Sequence, residues 1–239
     1  MKKIVFILLI SLNTLAQNIN VTQVKYKFIR ALVDESLMKK QEKCREYLKT
    51  EYALFSFNTQ FAKYENLGDP RLFNDINYFA AQLDLGYTLI YNLKEKTTFK
   101  FELNSHYDFY FKYDTQNHLW NLKNETKTIN NITCYKATLD YQTFTYNQNN
   151  ERVPMIITYE AWYAPSIPIK VFYKELNGLP GLILELKREN YGSLVAEYIN
   201  YNVNVYNNLF EPEKGFYQRT DYEEYKLESI KFSQLLNKL

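Results

Sequence analysis

Cysteine, histidine, glycine and proline are all scarce in this 239-residue chain, which contains two Cys, two His, six Gly and six Pro. So few glycines and prolines exclude collagen-like and low-complexity sequences. Two histidines cannot build a His-rich metal site, and the HExxH motif of zinc peptidases is absent. The formal net charge is only +2, so no strong field indicates a nucleic acid or an anionic membrane as the partner.

Long apolar runs are lacking too, apart from a short one at the start. Two lysines precede the apolar residues 4–12, and Ala16 is a small residue suited to cleavage before Gln17. The run is shorter than the roughly 20 apolar residues of a transmembrane helix; a buried N-terminal strand is the alternative. We predict a signal peptide at 1–16, one domain at 17–239 without a transmembrane helix, and export to the periplasm, the outer membrane or the exterior.

Aromatic residues are abundant, with 23 Tyr and 16 Phe, and they favour half-buried strands. Runs of alternating or β-branched residues predict an antiparallel meander, curled or forming a partial barrel, in a mainly β (β-rich α+β) fold. The predicted strands cover 24–28, 52–57, 87–92, 97–103, 107–113, 119–123, 132–141, 143–146, 155–163, 182–187 and 194–205.

Two helices complete the predicted fold. Pro70 suits a first helical position, and apolar residues follow it at i, i+3 and i+4 spacing, which predicts a helix near 70–84. The segment 222–239 carries four spaced apolar residues among charges and predicts a short C-terminal helix.

The stretch 177–187 stands out because it combines a turn with a strand. Pro180 fits the second position of a type II turn, and Gly181 is predicted to supply the positive φ that this turn needs next. Apolar residues then alternate along the predicted strand from Leu182.

The run Gly178-Leu179-Pro180-Gly181-Leu182-Ile183 resembles the signature of the GLPGLI family, secreted Bacteroidetes proteins without an established activity. Residues 134–138 (Cys-Tyr-Lys-Ala-Thr) and 161–168 (Ala-Trp-Tyr-Ala-Pro-Ser-Ile-Pro) resemble two more of its segments. The resemblance spans 120–187, although 170–174 lack the Gly-Pro pair of many relatives. It implies a secreted envelope protein of unknown function, and it implies no reaction.

Two cysteines, Cys44 and Cys134, permit one disulfide in an oxidising compartment. In the chain-entropy model such a bridge adds roughly 4–5 kcal/mol. Two buried free thiols are the alternative reading.

Candidate catalytic groups are few. Both histidines, His106 and His118, together with Asp108 or Asp114 could form a mononuclear metal site, but hydrogen-bonded turn histidines explain the same pattern. A nucleophile elbow is missing. We therefore predict no catalytic residue, no metal and no cofactor.

The aromatic strand around Trp162 is the more suggestive feature. Trp162, Tyr163, Tyr135 and Phe172 are candidates for one wall of a ligand cleft, because apolar clefts are lined by such side chains. Packing in the core is the structural alternative for all four.

Three functional hypotheses follow. The first is a non-enzymatic binding or accessory module in the periplasm or at the outer membrane, which binds an apolar ligand, a peptide or an envelope protein. The second is a hydrolytic enzyme with dispersed carboxylates such as Glu160, Asp108 or Glu185. The third is an outer-membrane β-barrel, based on the alternating strands.

Overall fold

The computed structural model describes residues 18–30, 52–67, 87–102, 109–147, 149, 151–189, 192–211 and 216–221. These residues form twelve β-strands in one sheet and two short 3₁₀ turns. The predicted mainly β fold is confirmed, whereas the helices predicted near 70–84 and at the C-terminus lie outside the described residues. Within those residues, no helix is long and apolar enough to cross a membrane.

The strands follow the predicted runs closely, and their bounds are β1 (Asn18–Arg30), β2 (Tyr52–Phe57), β3 (Phe61–Asn66), β4 (Tyr87–Asn92), β5 (Thr97–Glu102), β6 (Phe109–Asp114), β7 (Asn121–Ile129), β8 (Ile132–Tyr146), β9 (Arg152–Ala164), β10 (Leu182–Arg188), β11 (Gly192–Tyr206) and β12 (Tyr217–Arg219). Sequence patterns missed β3 and β12. They also divided β8, which is continuous, and ended β7 too early.

Two antiparallel meanders make up the sheet. The strand order is β12-β6-β5-β4-β3-β2-β1-β11-β10-β9-β8-β7. Strands β1 to β6 run outwards in one direction and β11 to β7 in the other, and the pairing of β1 with β11 joins them. The short β12 lies parallel to β6 at one edge. The first and last long strands therefore meet in the middle of the sheet.

The connection from β6 to β7 shows that the sheet curls. In a flat sheet these strands would lie ten spacings apart, about 48 Å. Residues 115–120 are all that join them, and a chain of this length spans at most about 25 Å. The two edges must therefore approach each other, as the predicted curled sheet or partial barrel requires.

The long connection between β9 and β10, residues 165–181, fills the space inside the curl. Phe172 is buried, and its ring lies edge-on to the rings of Tyr26 and Phe55, with centroids 5.4 and 5.9 Å away. The hydroxyl of Tyr91 donates a hydrogen bond to the carbonyl of Phe172 at 2.6 Å. The main core thus places this loop against strands β1, β2 and β4, and buried residues of β3 and β8 to β11 complete it.

A smaller second core lies on β1, β3, β4 and β5. Its buried side chains are those of Val21, Ile90, Phe101 and Phe210. The ring of Phe210 stacks on that of Phe61, with centroids 5.6 Å apart. The segment after β11 therefore anchors itself on this part of the sheet.

Asn177 is the polar centre of the main core and is 1% exposed. Its side-chain amide donates to the carbonyl of Gln116 at 3.0 Å and accepts from the backbone N–H of Phe172 at 2.8 Å. Its own carbonyl accepts from the N–H of His118 and from Nε1–H of Trp120, both at 3.1 Å. One residue therefore ties the β9–β10 connection to the six residues that close the curl.

Gly178 and Gly181, the two glycines that follow Asn177, are required by close backbone contacts. A Cβ on Gly178, whose φ is +108°, would lie 2.7 Å from the carbonyl oxygen of His118. A Cβ on Gly181 would lie 2.3 Å from the carbonyl oxygen of Ala164. The predicted positive φ at Gly181 is wrong: the left-handed residue is Gly178, and Gly181 is needed because the end of β9 leaves no room for a side chain.

Replacing Asn177 with Ala should lower the free energy of unfolding by about 2–4 kcal/mol, because the buried N–H of Phe172 and carbonyl of Gln116 both lose their partner. Asn177→Asp buries a carboxylate and sets one of its oxygens against the carbonyl of Gln116, so we expect a loss at least as large near neutral pH. Denaturant titration measures both. Equal stability of the Ala variant and the unmodified protein would contradict this role.

Gly181→Ala should cost about 1–3 kcal/mol or more, since the new methyl group overlaps backbone atoms that cannot rotate away. Pro180→Ala is the matched control, because Pro180 precedes Gly181 in the same turn but is exposed. Thermal unfolding of both variants is the measurement. A larger loss for Pro180→Ala than for Gly181→Ala would argue against the packing explanation.

Candidate functional site

Strands β10 and β11 separate soon after they pair. Pairing between them covers only Glu185–Arg188 and Gly192–Val195, although β11 continues to Tyr206. The pairing of β10 with β9 is irregular between Ile183 and Glu185. The carbonyl of Ile183 accepts a hydrogen bond from the buried hydroxyl of Tyr26 at 2.6 Å. A gap in the sheet therefore opens on one side of β11.

The tip of the β7–β8 hairpin closes the start of this gap. Asn130 and Asn131 form the tip with φ values of 51° and 61°, a left-handed conformation that Asn tolerates better than most residues. The side-chain amide of Asn130 donates to the carbonyl of Ala196 at 3.0 Å. The hairpin tip is thus fixed against β11 by one hydrogen bond.

An open groove of about 390 Å³ lies between the hairpin tip and β11. We call it the β11 groove, and its lining residues are Asn130, Asn131, Ile132, Glu197, Tyr198, Ile199 and Tyr201. The side chains of Tyr198 and Tyr201 are 43% and 56% exposed. Its volume falls within the usual range for ligand sites, and aromatic and amide groups dominate the lining.

The negative charge of the carboxylate that lines the groove is balanced by a neighbouring lysine. Glu197 forms an ion pair with Lys25 Nζ at 3.3 Å. The same ammonium lies 3.6 Å from the ring centroid of Tyr52 and 5.7 Å from that of Tyr198. These cation–π contacts hold the ammonium against the sheet. The groove therefore offers tyrosine, isoleucine and asparagine side chains to a ligand, with little net charge.

Trp162, the first of the predicted binding residues, is covered by charged side chains. Its ring is 9% exposed, and the ammonium groups of Lys127 and Lys136 lie 4.3 and 5.8 Å from the ring centroid. Its Nε1–H donates to Glu160 at 3.3 Å, and Lys136 bridges Glu160 and Glu125 at 3.1 and 3.2 Å. In the structure Trp162 supports an ion-pair cluster.

The other three predicted binding residues divide between core and surface. Phe172 and Tyr163 are buried, and burial followed by the nearby Tyr135 phenol raises the pKa of Tyr163. Tyr135 is 39% exposed, and its ring centroid lies 6.3 Å from that of Tyr163. None of the four lines the β11 groove, so sequence reasoning missed the groove residues. The available signal was the run 198–206, in which Tyr and Asn recur on a strand.

The carboxylates predicted for a hydrolytic site are separated and engaged by lysines. Glu185 pairs with Lys127 at 2.6 Å, and Glu160 pairs with Lys136. Asp108 lies outside the described residues. In the chain as described, no group of three or more His, Cys, Asp or Glu side chains is placed to hold a metal ion.

Of the two histidines in the predicted metal site, the structure describes only one. The ring of His118 lies edge-on to Tyr141, with centroids 5.3 Å apart, and its backbone N–H bonds to Asn177. Asp114 ends β6, and its carbonyl accepts from the side chain of Gln116. His106 lies outside the described residues.

Cys134 is a buried, free cysteine in β8. Its Sγ lies 3.5 Å from the carbonyl oxygen of Ile132, and burial raises the pKa of the thiol. A raised pKa disfavours the reactive thiolate. Cys44 lies outside the described residues, so the Cys44–Cys134 disulfide stays a prediction.

The ion-pair cluster beside Trp162 predicts a measurable pH dependence. Partial burial raises the pKa of Glu160, but Lys136 and the indole N–H outweigh burial and lower it below its usual value of 4.5. A lowered folded-state pKa stabilises the protein above about pH 4.5, and this contribution is lost as the pH falls through the folded-state value.

Glu160→Gln should therefore flatten the decline in stability below about pH 5, by no more than about 1 kcal/mol because the group is partly exposed. Urea titration between pH 3 and 7 measures the effect. Glu211→Gln, at an exposed glutamate, serves as the control and should leave the profile unchanged. A Glu160→Gln profile identical to that of the unmodified protein would exclude a stabilising role for the pair.

Comparisons with known proteins show the same architecture and no reaction. Six chains of solved structures match, and two of them are structures of PNGF-II, in space groups C2 and P21. Each aligns with a TM-score of 0.53 and covers 90% of this chain, with 14% and 15% sequence identity. The chain spans only about a third of PNGF-II, 33% and 34% of the two structures. At this identity the likeness shows the fold alone.

No curated protein matches the chain. A family model does match, over residues 120–185 of the 239, and it describes a protein of unknown function, Porph_ging. These residues include the β7–β8 hairpin, Asn177 and both close-packed glycines. They coincide with most of the segment that resembles the GLPGLI signature proteins, and that finer assignment stays a prediction. Residues 120–185 are thus similar to a family whose function is unknown.

Proposed function

We propose that this protein is an exported, non-enzymatic binding module of the cell envelope and that the β11 groove is its binding site. The observation that carries the proposal is the pair of exposed tyrosines, Tyr198 and Tyr201, beside the gap between β10 and β11. Buried strands normally keep such rings covered by a neighbour, so exposed rings in a groove favour contact with a ligand.

The state of the carboxylates supports binding over hydrolysis. A general acid that acts near neutral pH needs a raised pKa. Glu160 has the opposite shift, and both Glu160 and Glu185 are paired with lysines. These two groups serve the stability of β7 to β10 in our proposal, and the ligand contacts come from neutral side chains.

Export is the second part of the proposal, and it rests on the signal-peptide pattern at 1–16. A periplasmic or outer-membrane-associated location fits a module that binds an apolar ligand, a peptide or an envelope protein. The mass of the mature chain purified from the envelope fraction identifies the cleavage site, which we expect before Gln17.

Photo-crosslinking in intact cells tests the groove. With p-benzoylphenylalanine in place of Tyr198 or Tyr201, we expect an adduct whose mass identifies the ligand class, because both side chains line the groove. Tyr217 is the matched control, since it lies on another strand, β12, and is 47% exposed but does not line the groove. Adducts of equal yield at Tyr217, or none at Tyr198 and Tyr201, would overturn the proposed site.

A further inference from the structure

The β11 groove contains an open strand edge as well as tyrosine rings, and we propose that its ligand is an extended polypeptide segment that adds to the sheet along β11. This inference rests on the proposed function, because it takes the groove to be the binding site. It goes further by naming the class of the ligand and the way it is held.

The backbone of β11 is paired on one side only over most of its length. Strand β1 pairs with it from Gly192 to Tyr206 on one side, with β-bulges at Glu197 and at Tyr201–Asn202, where Asn202 has a φ of 58°. On the other side, β10 pairs only with Gly192–Val195. Among the described residues, the open side of β11 therefore runs from Ala196 to Tyr206, where the amide of Asn130 meets the first carbonyl.

An unpaired strand edge has a specific chemistry. Its N–H and C=O groups alternate at a fixed spacing and must be hydrogen-bonded to water or to a partner. A second extended backbone matches that spacing wherever the edge strand is regular, which is the basis of recognition by strand addition. The two bulges divide the open edge of β11 into the regular stretches 198–200 and 203–206, so the added segment pairs with these two stretches.

The groove also restricts where the added strand lies. The bond from Asn130 to Ala196 closes one end, so an incoming segment must begin beyond Ala196. The hairpin tip forms one wall of the groove, and Tyr198 and Tyr201 stand at the other side. These walls offer pockets for alternate side chains of the segment, while the edge of β11 binds its backbone.

Charge in the groove favours an uncharged segment. Glu197 is the ionisable residue that lines it, and Lys25 already neutralises that carboxylate. An acidic side chain opposite Glu197 would be repelled, and a basic one would compete with an existing ion pair. Valine, isoleucine or aromatic residues at alternate positions suit the neighbouring Ile132, Ile199 and tyrosines.

Amide hydrogen exchange of the mature protein, followed by NMR, tests strand addition directly. The probe is a pool of eight-residue peptides with Val, Ile, Leu, Phe or Tyr at four alternate positions, Thr or Ser between them, and a lysine at each end. We expect exchange of the amides that face the open side within 198–200 and 203–206 to slow at least tenfold. No slowing with the whole pool would overturn the proposal.

N-methylated peptides separate backbone pairing from side-chain contact. The best peptide is made with N-methyl groups on one alternate set of residues, and a second version carries them on the other set. In an added strand only one set of N–H groups faces β11, so we expect one version to lose binding and the other to keep it. If both versions bind like the parent peptide, strand addition is wrong while the groove remains the site.

Two variants and one further outcome complete the test. Tyr198→Ala and Tyr201→Ala should each weaken peptide binding about fivefold, a loss typical of an aromatic contact, and Tyr217→Ala, at an exposed tyrosine of β12, should leave it unchanged. The competing occupants are a small apolar molecule and a second copy of this chain. A non-peptide adduct at Tyr201, or a dimer formed through β11 without peptide, would overturn the proposal.

Discussion

The buried amide of Asn177 is the interaction on which the rest of the fold depends. A curled sheet with its edges brought together needs something to hold the short connection that closes it. Asn177 does this with four hydrogen bonds, two at its side chain and two at its carbonyl, and Asn177 itself is 1% exposed. The adjacent glycines let two backbones approach to a distance that a Cβ would prevent. The stretch 177–181 therefore has an architectural role in closing the sheet.

The segment that matches the family model builds the closed side of the sheet and also contributes one wall of the proposed groove. Residues 120–185 contain the hairpin, the loop and the turn that close the sheet, and the hairpin tip lines the β11 groove. The exposed tyrosines of the groove lie after this segment. Proteins that share the matched segment can therefore differ at the opposite wall of the groove.

Most strands could be predicted from alternation, because one face of each is buried and the other is polar. The order of the strands could not be predicted. A connection of six residues between β6 and β7 also suits two neighbouring strands, and only the pairing of β1 with β11 shows that β6 and β7 lie near opposite ends of the order. The short β3 was missed because Lys63, Glu65 and Asn66 hide the alternation of its buried Ala62 and Tyr64. The roles of Trp162 and Phe172 depended on burial, which composition does not reveal. The groove arises where two strands of unequal length part, so the recurring Tyr and Asn residues of 198–206 mark its lining but not its position.

The pairing of β1 with β11 also determines how late in synthesis the sheet can finish folding. Asn18 pairs with Tyr206 and Arg30 with Gly192, so the central seam joins the first described strand to the last long one. A chain that emerges from the ribosome or a translocation pore N-terminus first must keep β1 unpaired on this side until nearly all of the sheet has been delivered. Non-local pairing of this kind is slow and exposes a strand edge to aggregation. A protein built in this way has reason to depend on a holding chaperone during its biogenesis, however stable it is once the seam has closed.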